Sequence, residues 1–209
     1  MVSDDMKKHG TTTVGITGSD GVVFAADVRA AMGYFISSKQ MPKIHQIDER
    51  AAITIAGMAA DGQALAKLMK AELALYKMTK GRTASIDTAA TLMSSIMYSS
   101  RFYPYYTQAL IGGMDEKPHL FSLDPVGGIS EEAFASTGSG SPIAYGVLEE
   151  NYEKGKAVKD LLPLAVRAVA TAMKRDIATG DGIEAFVITK TEVKKLGVDE
   201  TKKLLKEKD

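Results

Sequence analysis

The sequence holds no cysteine among its 209 residues, which excludes disulfides, thiolate metal sites and a cysteine nucleophile, and suits a reducing compartment. Net charge is absent too: 26 Lys and Arg balance 26 Asp and Glu, so no global field recruits nucleic acid or an anionic membrane. No stretch reaches the roughly 18 uninterrupted apolar residues of a membrane span, and residues 1–10 lack the apolar centre of a secretory signal. The expectation is a soluble cytoplasmic protein with neither nucleic acid nor membrane among its partners. No internal repeat at a period of roughly 20 to 50 residues is visible. His9, His45 and His119 are scattered without metal-ligand spacing, and no nucleophile elbow supports a Ser-His-Asp triad. No metal site is expected from these histidines.

What the chain does have is patterned. Its length suits one domain with a single sizeable core. Residues 11–17 and 22–28 are β-rich runs separated by Gly18-Ser19-Asp20-Gly21, which reads as a hairpin. Residues 43–47 and 51–56 form a similar pair, so the sheet is expected to start as an antiparallel meander. Helical periodicity follows Met58, with Leu65, Leu68, Met69, Leu73 and Tyr76 on one face. A second helix is expected from Ser85 to about Arg101, with Asp87 in its first turn. Strands return at 108–114, 119–123 and 134–137, followed by helices over 142–152 and 159–177, the latter with Leu161, Ala165, Val169, Met173 and Ile177 as a four-step row. A last strand covers 184–189, and the lysine-rich tail from 191 onward reads as a surface helix or frayed end. This order is not the regular alternation of a parallel doubly wound sheet. It predicts an α+β, four-layer αββα sandwich of two antiparallel sheets flanked by helix pairs.

The most informative local feature is Gly10-Thr11, inside His9-Gly10-Thr11-Thr12-Thr13-Val14-Gly15-Ile16. A short polar leader stops there and a β pattern begins. Cutting that bond exposes a threonine whose hydroxyl is a nucleophile and whose own amine is a base, a known way to activate a weak alcohol. Three threonines ahead of Val-Gly-Ile also suit the plain start of a strand, because β-branched residues favour strands.

Six blocks decide between these readings by their company: Gly10-Thr11-Thr12-Thr13-Val14-Gly15; Ala26-Asp27-Val28-Arg29; Lys43-Ile44; Ala56-Gly57-Met58-Ala59-Ala60-Asp61-Gly62; Gly138-Ser139-Gly140-Ser141; and Arg175-Asp176-Ile177-Ala178-Thr179-Gly180-Asp181-Gly182. In this order they resemble the β-subunits of the proteasome core particle, most closely the archaeal type, within the N-terminal nucleophile hydrolases. The resemblance covers residues 11 to about 190.

It implies a threonine endopeptidase whose propeptide, residues 1–10, is removed by autolysis at Gly10-Thr11, leaving 11–209 as one catalytic domain. By resemblance, Thr11 is the nucleophile, Lys43 the catalytic lysine, and Asp27 its anchor. Ser139 and Asp176 fix the amine and a nearby water, and Thr179 stands where serine is usual. Gly57 supplies the oxyanion N–H, while Ala30, Met41, Ile55 and Ala59 line the pocket for the side chain before the scissile bond. Ala31 replaces a usual threonine or serine beside the substrate strand. The apolar lining implies cleavage mainly after hydrophobic residues. Implied partners are other β-subunits in heptameric rings, proteasome α-subunits, an ATP-dependent unfoldase and unfolded polypeptide, and no metal or organic cofactor is implied. An unprocessed structural ring subunit is the alternative. Taken singly, Asp27 and Lys43 also read as a surface pair, Ser139 as a flexible loop, Asp176 as a helix-end ion pair and Gly57 as a turn glycine.

Overall fold

The computed structural model describes residues 10–206. In chain order the strands are β1 (Thr13–Thr17), β2 (Gly21–Asp27), β3 (Ala30–Met32), β4 (Phe35–Ser38), β5 (Ile44–Asp48) and β6 (Ala51–Gly57), followed by helices α1 (Ala59–Lys80) and α2 (Ile86–Ser99). Then come β7 (Thr107–Met114), β8 (Pro118–Leu123), β9 (Ile129–Glu131) and β10 (Phe134–Thr137), α3 (Ser141–Asn151) and α4 (Val158–Ala172), and finally β11 (Ile183–Thr189), β12 (Val193–Leu196) and α5 (Val198–Lys206). Two five-stranded antiparallel sheets result, ordered β10-β1-β2-β11-β12 and β5-β6-β7-β8-β9, with β3 and β4 as a separate hairpin.

Strand β2 is buried along its whole length because its alternating residues serve two interiors. Val23 and Ala25 join the cluster built from α3 and α4, whereas Val22, Phe24 and Ala26 join Ile44, Ala52, Leu110 and Leu120 of the second sheet. The second sheet turns its other face to α1 and α2. Helices therefore cover both outer faces of a two-sheet sandwich, as predicted. Phe24 sits in the middle layer, where a Cβ on Gly15 or Gly112 would come within 3.1 Å of its ring. Those two glycines let the sheets close on the aromatic side chain.

Local chemistry explains the helix boundaries. Ser85 accepts the N–H of Thr88, Asp115 accepts that of Ile86 at 2.9 Å, and Asp87 lies in the first turn of α2. Gly81, left-handed at φ 67°, ends α1.

Several expectations need correction. The first two strand pairs do not form one meander: β1 and β2 belong to one sheet, β5 and β6 to the other. Helix α4 stops at Ala172, and Ile177, placed by periodicity on its buried row, is 77% exposed. The cause is Asp176, whose carboxylate accepts the Ala178 N–H and the Thr179 hydroxyl and so competes with continued helix. Leu68 lies at the margin of the buried face of α1, 37% exposed. In the tail the surface-helix alternative holds as far as Lys206, where α5 ends, and a short strand precedes it. β12 pairs with β11, Leu196 is buried, and the Thr201 hydroxyl on α5 donates to the Ile183 carbonyl at 2.7 Å. The short strands β3, β4 and β9 carry no sequence period long enough to be seen.

Candidate active site

Thr11 precedes β1, whose Thr13 is paired on one side with Thr137 of β10 and on the other with Ala26 of β2. This central position in a sheet fixes the residues just before it. The Thr12 carbonyl accepts the Asp27 N–H, and the Thr11 carbonyl accepts the Gly140 N–H. Gly138, with φ 93°, makes room for that carbonyl: a Cβ there would lie 2.2 Å from it.

The Thr11 hydroxyl is buried and donates to Asp27 Oδ1 at 2.8 Å. The same oxygen accepts the Thr12 N–H at 2.9 Å and the Lys43 ammonium at 2.6 Å. Asp27 Oδ2 accepts the N–H groups of Arg29 at 3.1 Å and Gly180 at 3.0 Å. Asp27 is wholly buried and Lys43 nearly so, with side-chain exposures of 0% and 8%. The surface-pair reading of these two residues is therefore wrong. Burial pulls the Lys43 ammonium below its ordinary pKa of 10.5, against the upward pull of Asp27, Glu184 and Asp176.

A second set of groups gathers on the nitrogen side of Thr11. Its N–H donates to Ser139 Oγ at 3.2 Å, and the Ser139 hydroxyl donates to Asp176 Oδ2. Thr179 donates to the same carboxylate oxygen and lies 2.7 Å, oxygen to oxygen, from the Thr12 hydroxyl. Because the Thr179 proton is committed to Asp176, Thr12 is the donor in that pair. Ser139 and Asp176 are thus tied to Thr11 by hydroxyl contacts. Among the described residues every buried side-chain nitrogen or oxygen has a partner.

A small cavity of about 40 Å³ opens beside Thr11. Ala30, Met41, Ile55 and Ala59, the residues expected to line a pocket, border it together with Ala31, Gly57, Gly10 and Lys43. Gly57 ends β6 with φ 131°, where a Cβ would meet the Tyr106 carbonyl oxygen at 2.2 Å. Gly10 is equally constrained: a Cβ on it would lie 1.9 Å from the Ala178 Cβ.

Sequence reasoning left several neighbours without a role. Pro42 and Gln63 also line the cavity, Gln63 one helical turn beyond Ala59. His45, already placed near the pocket by the resemblance, lines it too, and its burial holds the imidazole below the usual 6.5. Arg29 donates to Asp181 Oδ2 at 2.7 Å and to the Ile177 carbonyl at 2.8 Å. That clasp holds the loop presenting the Gly180 N–H to Asp27, and Asp181 within it takes φ 65°. The only sequence signal for it is the turn-rich Gly180-Asp181-Gly182. Residues 1–9, the rest of the expected propeptide and the site of His9, lie outside the described residues. Among the described residues no three His, Cys, Asp or Glu side chains gather to hold a metal, and no helix is long and apolar enough to cross a membrane.

A threonine hydroxyl, a buried carboxylate and a buried ammonium thus meet just before β1 of a two-sheet sandwich, and comparison with known proteins shows the family. The chain belongs to the proteasome subunit family, whose description "Proteasome subunit" matches residues 7–188. Three similar relatives are described as β-subunits. "Proteasome subunit beta" of Methanocaldococcus vulcanius is 49% identical over 97% of this chain and 91% of that protein. The protein of the same description from Methanothermobacter thermautotrophicus is 50% identical over 91% of each chain. That of Methanosarcina mazei is 47% identical over 96% of this chain and 97% of its own.

Proposed function

We propose that this chain is the catalytic β-subunit of the proteasome core particle: a threonine endopeptidase with a self-removed leader, residues 1–10, and one catalytic domain, residues 11–209. The observation that carries the reading is the Thr11 hydroxyl 2.8 Å from the Asp27 oxygen that also takes the Lys43 ammonium at 2.6 Å.

In autolysis the Thr11 oxygen bonds to the Gly10 carbonyl carbon and the Gly10–Thr11 C–N bond breaks, its nitrogen leaving protonated. Water then hydrolyses the ester, returning the hydroxyl and freeing a carboxylate at Gly10. The absence of a Cβ at Gly10, against Ala178, supports a close approach of these atoms. The new amine has an ordinary pKa of about 7.7 to 8.0, suited to take the hydroxyl proton near neutrality. Ser139, 3.2 Å from the Thr11 nitrogen, orients it through Asp176.

Substrate cleavage repeats the chemistry. The Thr11 oxygen attacks the scissile carbonyl, Lys43 favours the developing negative oxygen, and the amine returns its proton to the leaving nitrogen. Water then releases the acyl ester. The N–H of Gly57 stabilises the oxyanion, a contribution worth ~2.7 to 4 kcal/mol in comparable sites. Ala30, Met41, Ile55 and Ala59 favour a hydrophobic side chain before the cut bond, and the backbone at Ala31 pairs with extended substrate.

The partners are sister β-subunits in a seven-membered ring, α-subunits and an ATP-driven unfoldase that feeds unfolded polypeptide, in the cytoplasm. Intact mass of the assembled particle tests the reading. Wild type begins at Thr11 and cuts a peptide with a hydrophobic residue before a fluorogenic amide; Thr11→Ala keeps Gly10 attached and cuts nothing. Leader retained on every wild-type subunit makes the chain a structural ring member.

A further inference from the structure

One half-buried acid takes no part in this chemistry. Glu184, on β11, reaches across from the first sheet to the start of β5 in the second. A single oxygen, Oε1, accepts the Lys43 N–H at 2.6 Å and the Ile44 N–H at 3.0 Å. β5 is an edge strand, paired only with β6, so its outer amides have no strand to bond. On the inner side the Lys43 carbonyl accepts the Ile55 N–H at 3.0 Å. The backbone of Lys43 is thus held from both sides, by β6 of its own sheet and by a carboxylate of the opposite one.

We propose that Glu184 is a positioning residue for Lys43: by clamping the Lys43 amide together with that of Ile44, the first residue of β5, it sets where the ammonium meets Asp27 and Thr11. Two carboxylates then serve one lysine, Asp27 at the side chain and Glu184 at the backbone. The charged groups whose fields act on Glu184 are Lys43, just before β5, and Asp27 on β2; Lys195, on the neighbouring β12, lies over the Phe186 ring. Burial raises the Glu184 carboxyl above its ordinary 4.5, while the two amides and Lys43 oppose the rise. Glu184 does not line the catalytic cavity, so its influence falls on rate and not on substrate binding.

The proposal rests on the threonine-peptidase reading and is tested in the assembled particle. Glu184→Gln keeps an oxygen acceptor and removes the charge. Its kcat on the fluorogenic peptide falls roughly fivefold with KM held within about twofold. The alkaline limb of its pH profile moves to lower pH, because Lys43 has lost a stabilising charge. Glu184→Ala loses the acceptor as well: its kcat falls about fiftyfold, and the amides of Lys43 and Ile44 exchange hydrogen faster than in the Gln variant. Wild-type kcat with an unmoved alkaline limb in both variants overturns the proposal. So does a rate loss that merely follows a loss of thermal stability at an unchanged pH profile. If the wild-type particle keeps its leader and cuts nothing, the proposed function fails instead, and the exchange comparison alone decides the clamp: equal exchange in all three proteins overturns it.

Discussion

The Lys43 ammonium lies 2.6 Å from the Asp27 carboxylate in a region almost closed to water. Burying two charges is tolerable only while each answers the other and the remaining lone pairs are filled, and here four further donors fill them.

Removing one partner is therefore costly. Lys43→Met leaves the Asp27 charge buried without its cation, with an expected loss of about 3 to 5 kcal/mol of stability. Asp27→Asn leaves the ammonium in the same position. Both variants keep the leader and hydrolyse no peptide, whereas thermal denaturation separates the two effects: a variant that assembles and melts near wild type while remaining uncut places the residue in the chemistry.

Gly10→Ala drives a methyl into Ala178 and the Ser139 hydroxyl, at 1.9 and 2.7 Å before any relaxation. Leader removal slows at least about tenfold, measured by the mass of the assembled subunit over time. A version whose mature chain is made to begin at Thr11 without autolysis hydrolyses peptides normally, which confines the defect to processing.

Thr179→Ser keeps the hydroxyl and leaves a methyl-sized gap, for an expected cost of about 1 kcal/mol and near-normal turnover. Thr179→Val keeps the shape and removes the acceptor for the Thr12 hydroxyl, stranding a buried donor at about 1 to 3 kcal/mol. Turnover falls only in the valine variant. Equal turnover in both would detach this hydroxyl from the site.

His45 gives the fold a pH dependence of definite sign. Its pKa is depressed by burial from 6.5, so in the window below 6.5 the unfolded chain binds a proton that the folded one refuses. Stability therefore rises with pH through that window and falls as the solution is acidified. His45→Gln flattens this part of the curve, read as melting temperature against pH between about 5 and 7. An unchanged slope assigns the dependence to other groups.

Much of this architecture was legible because local chemistry spoke clearly. The glycines at 18 and 21 marked the first hairpin, and Ser85 with Asp87 marked the start of α2. Sheet membership was not legible: β1-β2 and β5-β6 look alike as alternating runs, and only packing around Phe24 separates them into two layers. The end of α4 was hidden because Asp176 fits a helix as readily as the turn its carboxylate actually closes. In the site, Thr11, Asp27, Lys43, Ser139 and Asp176 were legible only through the family resemblance of the short motifs that hold them, since singly Asp27 and Lys43 read as a surface pair, Ser139 as loop and Asp176 as a helix end. Glu184 stands in an ordinary strand, Ile183-Glu184-Ala185-Phe186, where an acid reads as a solvent-facing position. Its contact with Lys43 spans 141 positions of sequence and exists only once the sheets are stacked.

Because β1 is gripped by a neighbour on each flank, the coordinates of position 11 are dictated from downstream. On the proposed reading, replacing residues 1–9 by another leader is expected to leave the Thr11 hydroxyl on Asp27, because its anchors all lie later in the chain.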